Sequence, residues 1–264
     1  MINSRNLIYT NILDLTKLTD KVAIITGGAS GLGEYYTRAM LTVGAKVMVV
    51  SHSERGWDKI KAVAAELGGQ VAFFAQDVTA EDAPQKIVNA TLNQYGRIDI
   101  LVNNAGRQIR HPWDEFPKED WQKVLDLNLN SVYYLSQEVA KVMKRQGGGK
   151  IINIGSMQSY RAGKFIFPYT ASKHGVVGLT KAYADALAAD NIQVNALAPG
   201  YINTPMTKAL QEDPVRSKEI LEHIPAGHWA EPAELMGTVV FLASAASNYV
   251  TGVTIPVDGG YLLR

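Results

Sequence analysis

Short apolar segments alternate with longer amphipathic segments along the whole of this 264-residue chain. Each short segment is apolar almost throughout, which is typical of strands that are buried on both faces of a parallel sheet. The predicted strands are residues 22–25, 46–50, 71–75, 98–102, 150–154, 193–198 and 254–257. Helical periodicity lies between them, for example at residues 32–43, 84–95, 121–145, 170–189 and 232–243. The alternation predicts an α/β fold in which helices cover both faces of a doubly wound parallel sheet.

One domain accounts for most of the chain. No repeat, linker or low-complexity segment divides residues 20–264, which are therefore predicted to fold as a unit. Residues 1–19 precede the first predicted strand. We expect them to form an N-terminal arm over the surface or, alternatively, a disordered tail.

The composition limits the functions that the chain can have. Lysine and arginine number 26 against 25 aspartate and glutamate residues, so no overall field favours a nucleic acid or an anionic membrane. Hydrophobic residues make up 47%, which excludes a disordered chain, and no apolar run approaches the roughly 20 residues of a membrane span. The sequence has no cysteine for disulfides or thiolate metal sites and no secretory signal. We expect a cytoplasmic protein that binds a small molecule and requires no metal, nucleic acid or membrane.

A glycine-rich turn directly follows the first predicted strand. It occupies residues 26–33 (TGGASGLG), and a helix is predicted to begin at about Leu32. Glycines let the backbone turn sharply and come close to a pyrophosphate, whose charge is favoured at a helix N-terminus. The motif predicts a dinucleotide site, although a tight turn without a ligand would fit the same residues.

Other polar or turn-forming residues also follow predicted strands, at the sheet edge where α/β folds bind ligands. Asp77 follows the third strand, residues 103–106 (NNAG) the fourth, and Pro199 with Gly200 the sixth. Each has a structural alternative. Asn103 could only tie loops together, Asp77 could cap the next helix, and Pro199 with Gly200 could form a plain turn.

Tyr169 and Lys173 stand four residues apart in a predicted helix, so their side chains are neighbours on one helix face. An ammonium beside a phenol stabilises the tyrosinate and is expected to lower the tyrosine pKa from about 10. Such a tyrosine could exchange a proton near neutral pH. The alternative is an ordinary pair of residues on a half-exposed helix.

Taken in order, these motifs resemble those of the short-chain dehydrogenase/reductase family over nearly the whole chain. The resemblance implies a Rossmann-like fold that binds NAD or NADP and interconverts a secondary alcohol and a ketone by hydride transfer. The cofactor-binding residues that it implies are Gly27, Ser30, Gly31, Leu32, Gly33, Ser51, Asp77, Val78, Asn104, Ala105, Gly106, Tyr169, Lys173, Pro199, Gly200, Ile202 and Thr204.

The same resemblance implies four catalytic residues. Tyr169 would exchange a proton with the substrate oxygen, while Lys173 would lower the pKa of Tyr169 and hold the cofactor ribose. Ser156 would meet the same substrate oxygen, and Asn128 would anchor a water that carries protons to Lys173. Alternatively, Ser156 is a hydroxyl cap and Asn128 lies at a helix kink.

The end of the second strand bears on the choice between NAD and NADP. NAD enzymes usually carry an acidic residue there, whereas NADP enzymes have basic residues nearby. This chain has Ser51, followed by His52, Ser53, Glu54 and Arg55, so no carboxylate at Ser51 repels a 2′-phosphate. Ser30 stands where many NADP-using relatives have arginine, so we slightly favour NAD.

The second half of the chain resembles one group more closely, the 2-deoxy-D-gluconate 3-dehydrogenases and 2-dehydro-3-deoxy-D-gluconate 5-dehydrogenases. The likeness rests on residues 150–157 (KIINIGSM), 195–201 (NALAPGY), 224–229 (IPAGHW), 235–244 (LMGTVVFLAS) and 257–264 (VDGGYLLR). It implies a deoxy or keto sugar acid as substrate, whose carboxylate needs a cation or several donors.

Several cations are candidates for that carboxylate. Arg110 is the first choice, because the group usually has two adjacent arginines here, of which Ile109 replaces the other. Arg161 and Lys164 are further candidates, although they and Phe165 differ from the usual residues of the group. Ser156 and Tyr169 would meet the reacting oxygen, and Arg107 is a fourth nearby cation. Each cation could instead be a solvated surface charge.

Other interpretations stay open at the level of sequence. Within the same chemistry, the substrate could be a 3-oxoacyl thioester or a ketose. In a different class, the chain could be a dinucleotide-binding sensor without turnover. The family commonly forms tetramers, so we expect a homotetramer built on the helices at 128–145 and 170–189 and on the last strand, although these apolar stripes could simply pack against the sheet.

Overall fold

Seven parallel strands form one sheet in the computed structural model, which describes residues 11–264. Their order across the sheet is β3-β2-β1-β4-β5-β6-β7. The strands are β1 (Val22–Thr26), β2 (Lys46–Ser51), β3 (Val71–Ala75), β4 (Ile100–Asn103), β5 (Gly149–Ile154), β6 (Ile192–Pro199) and β7 (Thr254–Val257). This is the doubly wound parallel sheet that the alternating sequence pattern predicts, and the Rossmann-like fold that the family resemblance implies.

The connections between the strands are largely helical. The helices are α1 (Gly31–Thr42), α2 (Trp57–Glu66), α3 (Ala83–Tyr95), α4 (Lys118–Leu125), α5 (Ser131–Gln146), α6 (Phe167–Leu187), α7 (Lys208–Glu212), α8 (Pro214–His223) and α9 (Met236–Ala243). Two differ from the sequence prediction. The predicted helix at 121–145 is divided by a π-helical turn at Asp126–Asn130, and the one at 232–243 begins as the 3-10 turn Pro232–Leu235.

Helices cover both faces of the sheet, and each face has its own core. In β1, Ala23 and Ile25 belong to the core beneath α1, α2 and α9, whereas Ile24 belongs to the core beneath α3, α5 and α6. This explains why the strands are apolar almost throughout, since helices cover both faces of the sheet. Burying each large aliphatic side chain contributes roughly 1.5–3 kcal/mol.

The described part of the predicted N-terminal arm, residues 11–19, begins with the 3-10 turn Ile12–Thr16. Leu18 follows it and is 3% exposed, and its N–H donates to the carbonyl of Val43 at 2.8 Å. The Leu18 side chain thus fastens this segment to the domain. Residues 1–10 of the predicted arm lie outside the described part of the chain. Within residues 11–264, no helix is both long and apolar enough to cross a bilayer.

Candidate active site

A cleft of about 1330 Å³ lies at the carboxyl edge of the sheet. It is centred where β1 and β4 lie side by side although they are not consecutive, which is where open α/β sheets bind ligands. All but two of the site residues predicted from the sequence line this cleft. The exceptions are Gly33 and Asn128.

The glycine-rich turn after β1 forms one wall of the cleft. Gly27 and Gly31 adopt left-handed φ angles of +64° and +55°, which glycine tolerates best. Ser30 is the N-cap of α1, but its side chain makes no capping hydrogen bond. The N–H groups of the first turn of α1 are therefore available to a pyrophosphate, and the cradle fits a dinucleotide.

Gly33 has a packing role in this structure, and its predicted place in the cofactor site stays a prediction. A Cβ at this position would lie 2.0 Å from the carbonyl oxygen of Gly27 and 2.6 Å from Nδ2 of Asn104. Only glycine lets α1 approach the turn this closely. Gly33 thus shapes the cradle from behind.

Asn104 holds the ends of β1 and β4 together beneath the cleft. Its Nδ2 donates to the carbonyl of Thr26 at 2.9 Å, and the N–H groups of Asn104 and Ala105 both donate to the Thr26 hydroxyl at 3.0 Å. Asn103 points the other way and donates to Ser136 Oγ and to Asn153 Oδ1, at 3.0 and 2.8 Å. The NNAG segment therefore fixes the floor of the cleft.

The far end of the cleft contains polar and basic groups after β2 and β3. Asp77 Oδ1 accepts from the N–H of Thr79 at 2.9 Å and from its hydroxyl at 2.8 Å. The backbone hydrogen bond is the main cause that lowers the pKa of Asp77, and it closes a turn rather than capping α3. Ser51, His52 and Arg55 lie beside it and also line the cleft.

Tyr169 lies at the centre of the cleft, one turn into α6, with Ser156 facing it from the end of β5. Burial raises the pKa of Tyr169, and the Ser156 hydroxyl offsets part of the rise. Ser156 Oγ also accepts from the N–H of Gln158 at 3.1 Å, so this residue caps the 3-10 turn Met157–Ser159 as well. The capping alternative and the position beside Tyr169 both hold.

Lys173 lies one helical turn beyond Tyr169, as the spacing predicts. Its Nζ donates to the carbonyl of Ile154 at 2.6 Å and stands 5.6 Å from the centre of the Tyr169 ring. Burial lowers the pKa of Lys173 to about 8. In this structure burial dominates the pKa of Tyr169 and the Lys173 ammonium is directed at a carbonyl, so the expectation that Lys173 lowers the pKa of Tyr169 stays a prediction.

Asn128 lies behind the cleft wall, fully buried in the π-helical turn between α4 and α5. Its side chain accepts from the N–H of Arg107 at 2.9 Å and donates to the carbonyl of Arg107 at 2.9 Å and to Ser172 Oγ at 3.2 Å. The amide therefore fixes the loop after β4.

Basic residues gather at the other end of the cleft. Arg110, Arg161 and Lys164, all predicted from the sequence, line it together with Arg216 of α8, which sequence reasoning missed. Burial raises the pKa of Tyr201 to about 12, and the charges of Arg216 and Arg110 offset part of this rise. Both guanidinium groups therefore act on the Tyr201 phenol.

The residues predicted for the nicotinamide side line the middle of the cleft: Pro199 ends β6, and Gly200, Ile202 and Thr204 follow it. A Cβ at Gly200 would lie 2.6 Å from the Cα of Asp258, so close packing with the segment after β7 requires glycine. Among residues 11–264, no group of three or more His, Cys, Asp or Glu side chains could hold a metal ion.

Known proteins are similar in sequence to this chain over nearly its full length. A family model described as enoyl-(acyl carrier protein) reductase matches residues 27–262. The 2-dehydro-3-deoxy-D-gluconate 5-dehydrogenase of Escherichia coli is 44% identical over 254 residues, covering 96% of this chain and 100% of the relative. The chain belongs to the short-chain dehydrogenase/reductase family. It is therefore an NAD(P)-dependent oxidoreductase, and the sensor alternative is set aside.

Solved structures agree with the fold and bear on the cofactor. The gluconate 5-dehydrogenase of Burkholderia cenocepacia in complex with NADP and tartrate has a TM-score of 0.90 at 38% identity, covering 96% of this chain and 100% of its own. A chain from Agrobacterium tumefaciens with bound NADP has a TM-score of 0.89 at 39% identity, covering 95% and 100%. Both solved structures contain NADP, so they do not support the expected preference for NAD.

Proposed function

We propose that this protein interconverts a keto sugar acid and the corresponding secondary alcohol, with NADP as cofactor and Tyr169 as the acid/base group. The observation that carries the proposal is the convergence of Tyr169, Ser156 and Lys173 in one cleft with the glycine-rich turn. The cofactor supplies or accepts the hydride. The residues of the chain bind and orient the reactants and handle the proton.

Tyr169 donates its phenolic proton to the carbonyl oxygen during reduction and recovers it during oxidation. Its raised pKa keeps the phenol protonated, as a donor must be at the start of reduction. The Ser156 hydroxyl donates to the same oxygen, where negative charge develops, and such positioned groups typically contribute about 10²- to 10⁴-fold in rate. Lys173 would exchange its contact with the Ile154 carbonyl for a contact with the cofactor ribose. Asn128 would anchor a water that carries protons to Lys173.

NADP is favoured by the groups at the adenine end of the cleft. No carboxylate stands at Ser51, while His52 and Arg55 line the cleft beside it and could bind a 2′-phosphate. Arg107 is close enough to Asp77 to contribute to its lowered pKa, which places a second guanidinium group near this end. The NADP found in two solved relatives supports the same choice.

A sugar acid is favoured by the basic residues at the other end. Arg110 comes from the loop after β4 and acts on the Tyr201 phenol, so its charge lies within the cleft. A guanidinium can bind a carboxylate through two parallel hydrogen bonds. The named activities of the relatives from E. coli and B. cenocepacia are also sugar acid dehydrogenations.

Initial rates test this proposal directly. We expect NADPH to support reduction of keto sugar acids, with NADH less effective, and Arg110→Ala to raise KM for the sugar acid. The panel includes a 3-oxoacyl thioester and a ketose as the competing substrates. Preferred turnover of the thioester or the ketose would contradict the proposed substrate. An unchanged KM in the Arg110 variant would contradict the proposed role of Arg110 as the carboxylate ligand.

We also propose that the enzyme acts in the cytoplasm as a homotetramer. The aromatic rings of Tyr133 and Tyr134 on α5 are exposed, and Tyr183 on α6 packs at 6.0 Å from the Tyr133 ring. Aromatic side chains at a helix surface favour an interface. Light scattering should give a mass near four chains of 28.8 kDa; a monomer mass would contradict the assembly.

A further inference from the structure

Ser159 joins the two parts of the chain that carry the candidate catalytic residues. It is 5% exposed and ends the 3-10 turn Met157–Ser159, which follows β5. Its Oγ donates to the carbonyl of Lys173 at 2.8 Å and accepts from the N–H of Ser156 at 3.2 Å. One buried hydroxyl thus bridges Ser156 and the helical turn that begins at Tyr169.

The chain between these two parts does not fix their separation by itself. Residues 160–166 connect the 3-10 turn to α6 without forming a helix or a strand. Asn153 of β5 donates through Nδ2 to Thr180 Oγ1 of α6 at 3.0 Å, but this contact lies about two helical turns beyond Lys173. The first turns of α6 could pivot about such a distant contact. Ser159 is therefore the bridge that lies next to the reacting groups.

The other contacts across this gap use side chains that act in the proposed reaction. The Ser156 hydroxyl acts on the Tyr169 phenol, and Lys173 Nζ donates to the carbonyl of Ile154 at 2.6 Å. Both contacts change in the proposed mechanism, because Ser156 and Tyr169 turn to the substrate oxygen and Lys173 turns to the cofactor ribose. The Ser159 hydroxyl has no such task, so its two hydrogen bonds can persist through the reaction.

The surroundings of Ser159 hold its hydroxyl in place. A Cβ at Gly155 would lie 3.1 Å from Ser159 Oγ and 3.4 Å from the carbonyl oxygen of Leu197, so the glycine leaves room for the hydroxyl. Displacing a buried hydroxyl that both donates and accepts would leave its partners unsatisfied, which costs free energy. Ser159 does not line the cleft, and any effect on the reaction passes through its neighbours.

We propose that Ser159 is a positioning residue for the reaction, whose hydroxyl holds Ser156 at a fixed separation from Tyr169 and Lys173 while these side chains change partners. The inference rests on the proposed function, because it takes Ser156 and Tyr169 as the groups that meet the substrate oxygen. Misplacing a reacting group by about 1 Å can cost about 10²-fold in rate. Loss of the Ser159 hydroxyl should therefore slow the chemical step.

A double-mutant cycle with Ser156 tests the inference through the single-turnover rate of NADPH oxidation. The substrate is whichever of 5-keto-D-gluconate, acetoacetyl-coenzyme A and D-fructose the wild type reduces fastest, since the role of Ser159 does not depend on which carbonyl is reduced. We expect Ser159→Ala to lower this rate by about tenfold in the wild type but by less than about threefold in Ser156→Ala, where the hydroxyl to be positioned is missing. NADPH affinity, followed by fluorescence, should stay within a few-fold because the glycine-rich turn is untouched.

Ser247 provides the matched control. Its buried hydroxyl donates to the carbonyl of Leu242 at 3.0 Å and accepts from Lys150 Nζ at 3.3 Å, near the start of β5 and away from the cleft. Ser247→Ala should lose stability in urea denaturation, as Ser159→Ala does, but keep the wild-type rate. Ser159→Cys keeps the volume of the site nearly unchanged, weakens both hydrogen bonds and should lose rate to a smaller degree than Ser159→Ala.

The outcomes distinguish the inference from the proposed function. Equal fold-losses from Ser159→Ala in both backgrounds, or wild-type rates in Ser159→Ala and Ser159→Cys, would overturn the inference alone. Fastest reduction of acetoacetyl-coenzyme A or D-fructose would overturn the proposed substrate, and the cycle would then decide the role of Ser159 on that compound. A wild-type rate in Ser156→Ala, or no reduction of any of the three compounds by the wild type, would overturn the proposed function and with it the inference.

Discussion

Individual residues at the cleft combine structural and chemical tasks, which limits what their sequence positions can reveal. Ser156 caps a 3-10 turn and also faces Tyr169. Asn128 uses its whole amide to hold the backbone of Arg107 and the Ser172 hydroxyl. The cap of Ser156 is local, but its contact with Tyr169 and the contacts of Asn128 join residues that are well separated in sequence, so local spacing does not encode them. The sequence singled out both residues, whereas their hydrogen-bond partners became known only from the fold.

Gly33 gives a test of cradle geometry at this scale. A methyl group in Gly33→Ala would meet the Gly27 carbonyl at 2.0 Å, so α1 must move away from the turn. We expect loss of stability and weaker NADPH binding, measured by chemical denaturation and by fluorescence titration. Gly178→Ala is the control, because nothing lies within 4 Å of a Cβ there, and a helical alanine is favoured over glycine by roughly 1 kcal/mol. Equal NADPH affinity in both variants would contradict the role of Gly33.

Elements with a strong hydrophobic period are predictable, and those whose form depends on polar contacts are not. The predicted strands end within two residues of the observed ones, because both faces of the sheet are buried. The π-helical turn at Asp126–Asn130 interrupts an otherwise regular helical pattern, and its Asn128 contacts Arg107 in the preceding loop, a contact that hydrophobic period does not reveal. Helices α7 and α8 lie in a polar segment without a clear period, so Arg216 was missed.

The start of β5 provides a prediction about pH. Lys150 is 8% exposed and donates to Asn248 Oδ1 at 3.0 Å, and burial lowers its pKa to about 8. Between pH 8 and the ordinary value of 10.5, the unfolded chain binds more protons than the folded one, so the free energy of unfolding rises with pH. This contribution is at most about 1.4 kcal/mol per pH unit.

The measurement is the slope of that free energy against pH across the same window, from urea denaturation. Lys150→Met should have a smaller slope than the wild type. Lys144→Met, which removes an exposed ammonium, should keep the wild-type slope. Identical slopes in all three proteins would contradict a lowered pKa of Lys150 in the folded protein.

At the scale of the whole molecule, the parallel sheet brings residues from six strand ends to one edge. The sequence allowed the fold, the glycine-rich turn and the Tyr169 and Lys173 pair to be predicted, because each depends on local pattern. The basic end of the cleft depends on packing between the loop after β4, the segment before α6, α8 and the last residues, where the Arg161 guanidinium packs on the Tyr261 ring. The residues that meet there therefore became known only from the structure.

The central claim is that Tyr169 is the proton donor of an NADP-dependent sugar acid dehydrogenase. The most direct test compares wild type and Tyr169→Phe in the oxidation of NADPH by keto sugar acids, together with NADPH binding followed by fluorescence. We predict that the variant loses about 10²-fold or more in kcat, because the positioned proton is gone, while NADPH affinity stays within a few-fold. Turnover retained at the wild-type rate in Tyr169→Phe would contradict the claim.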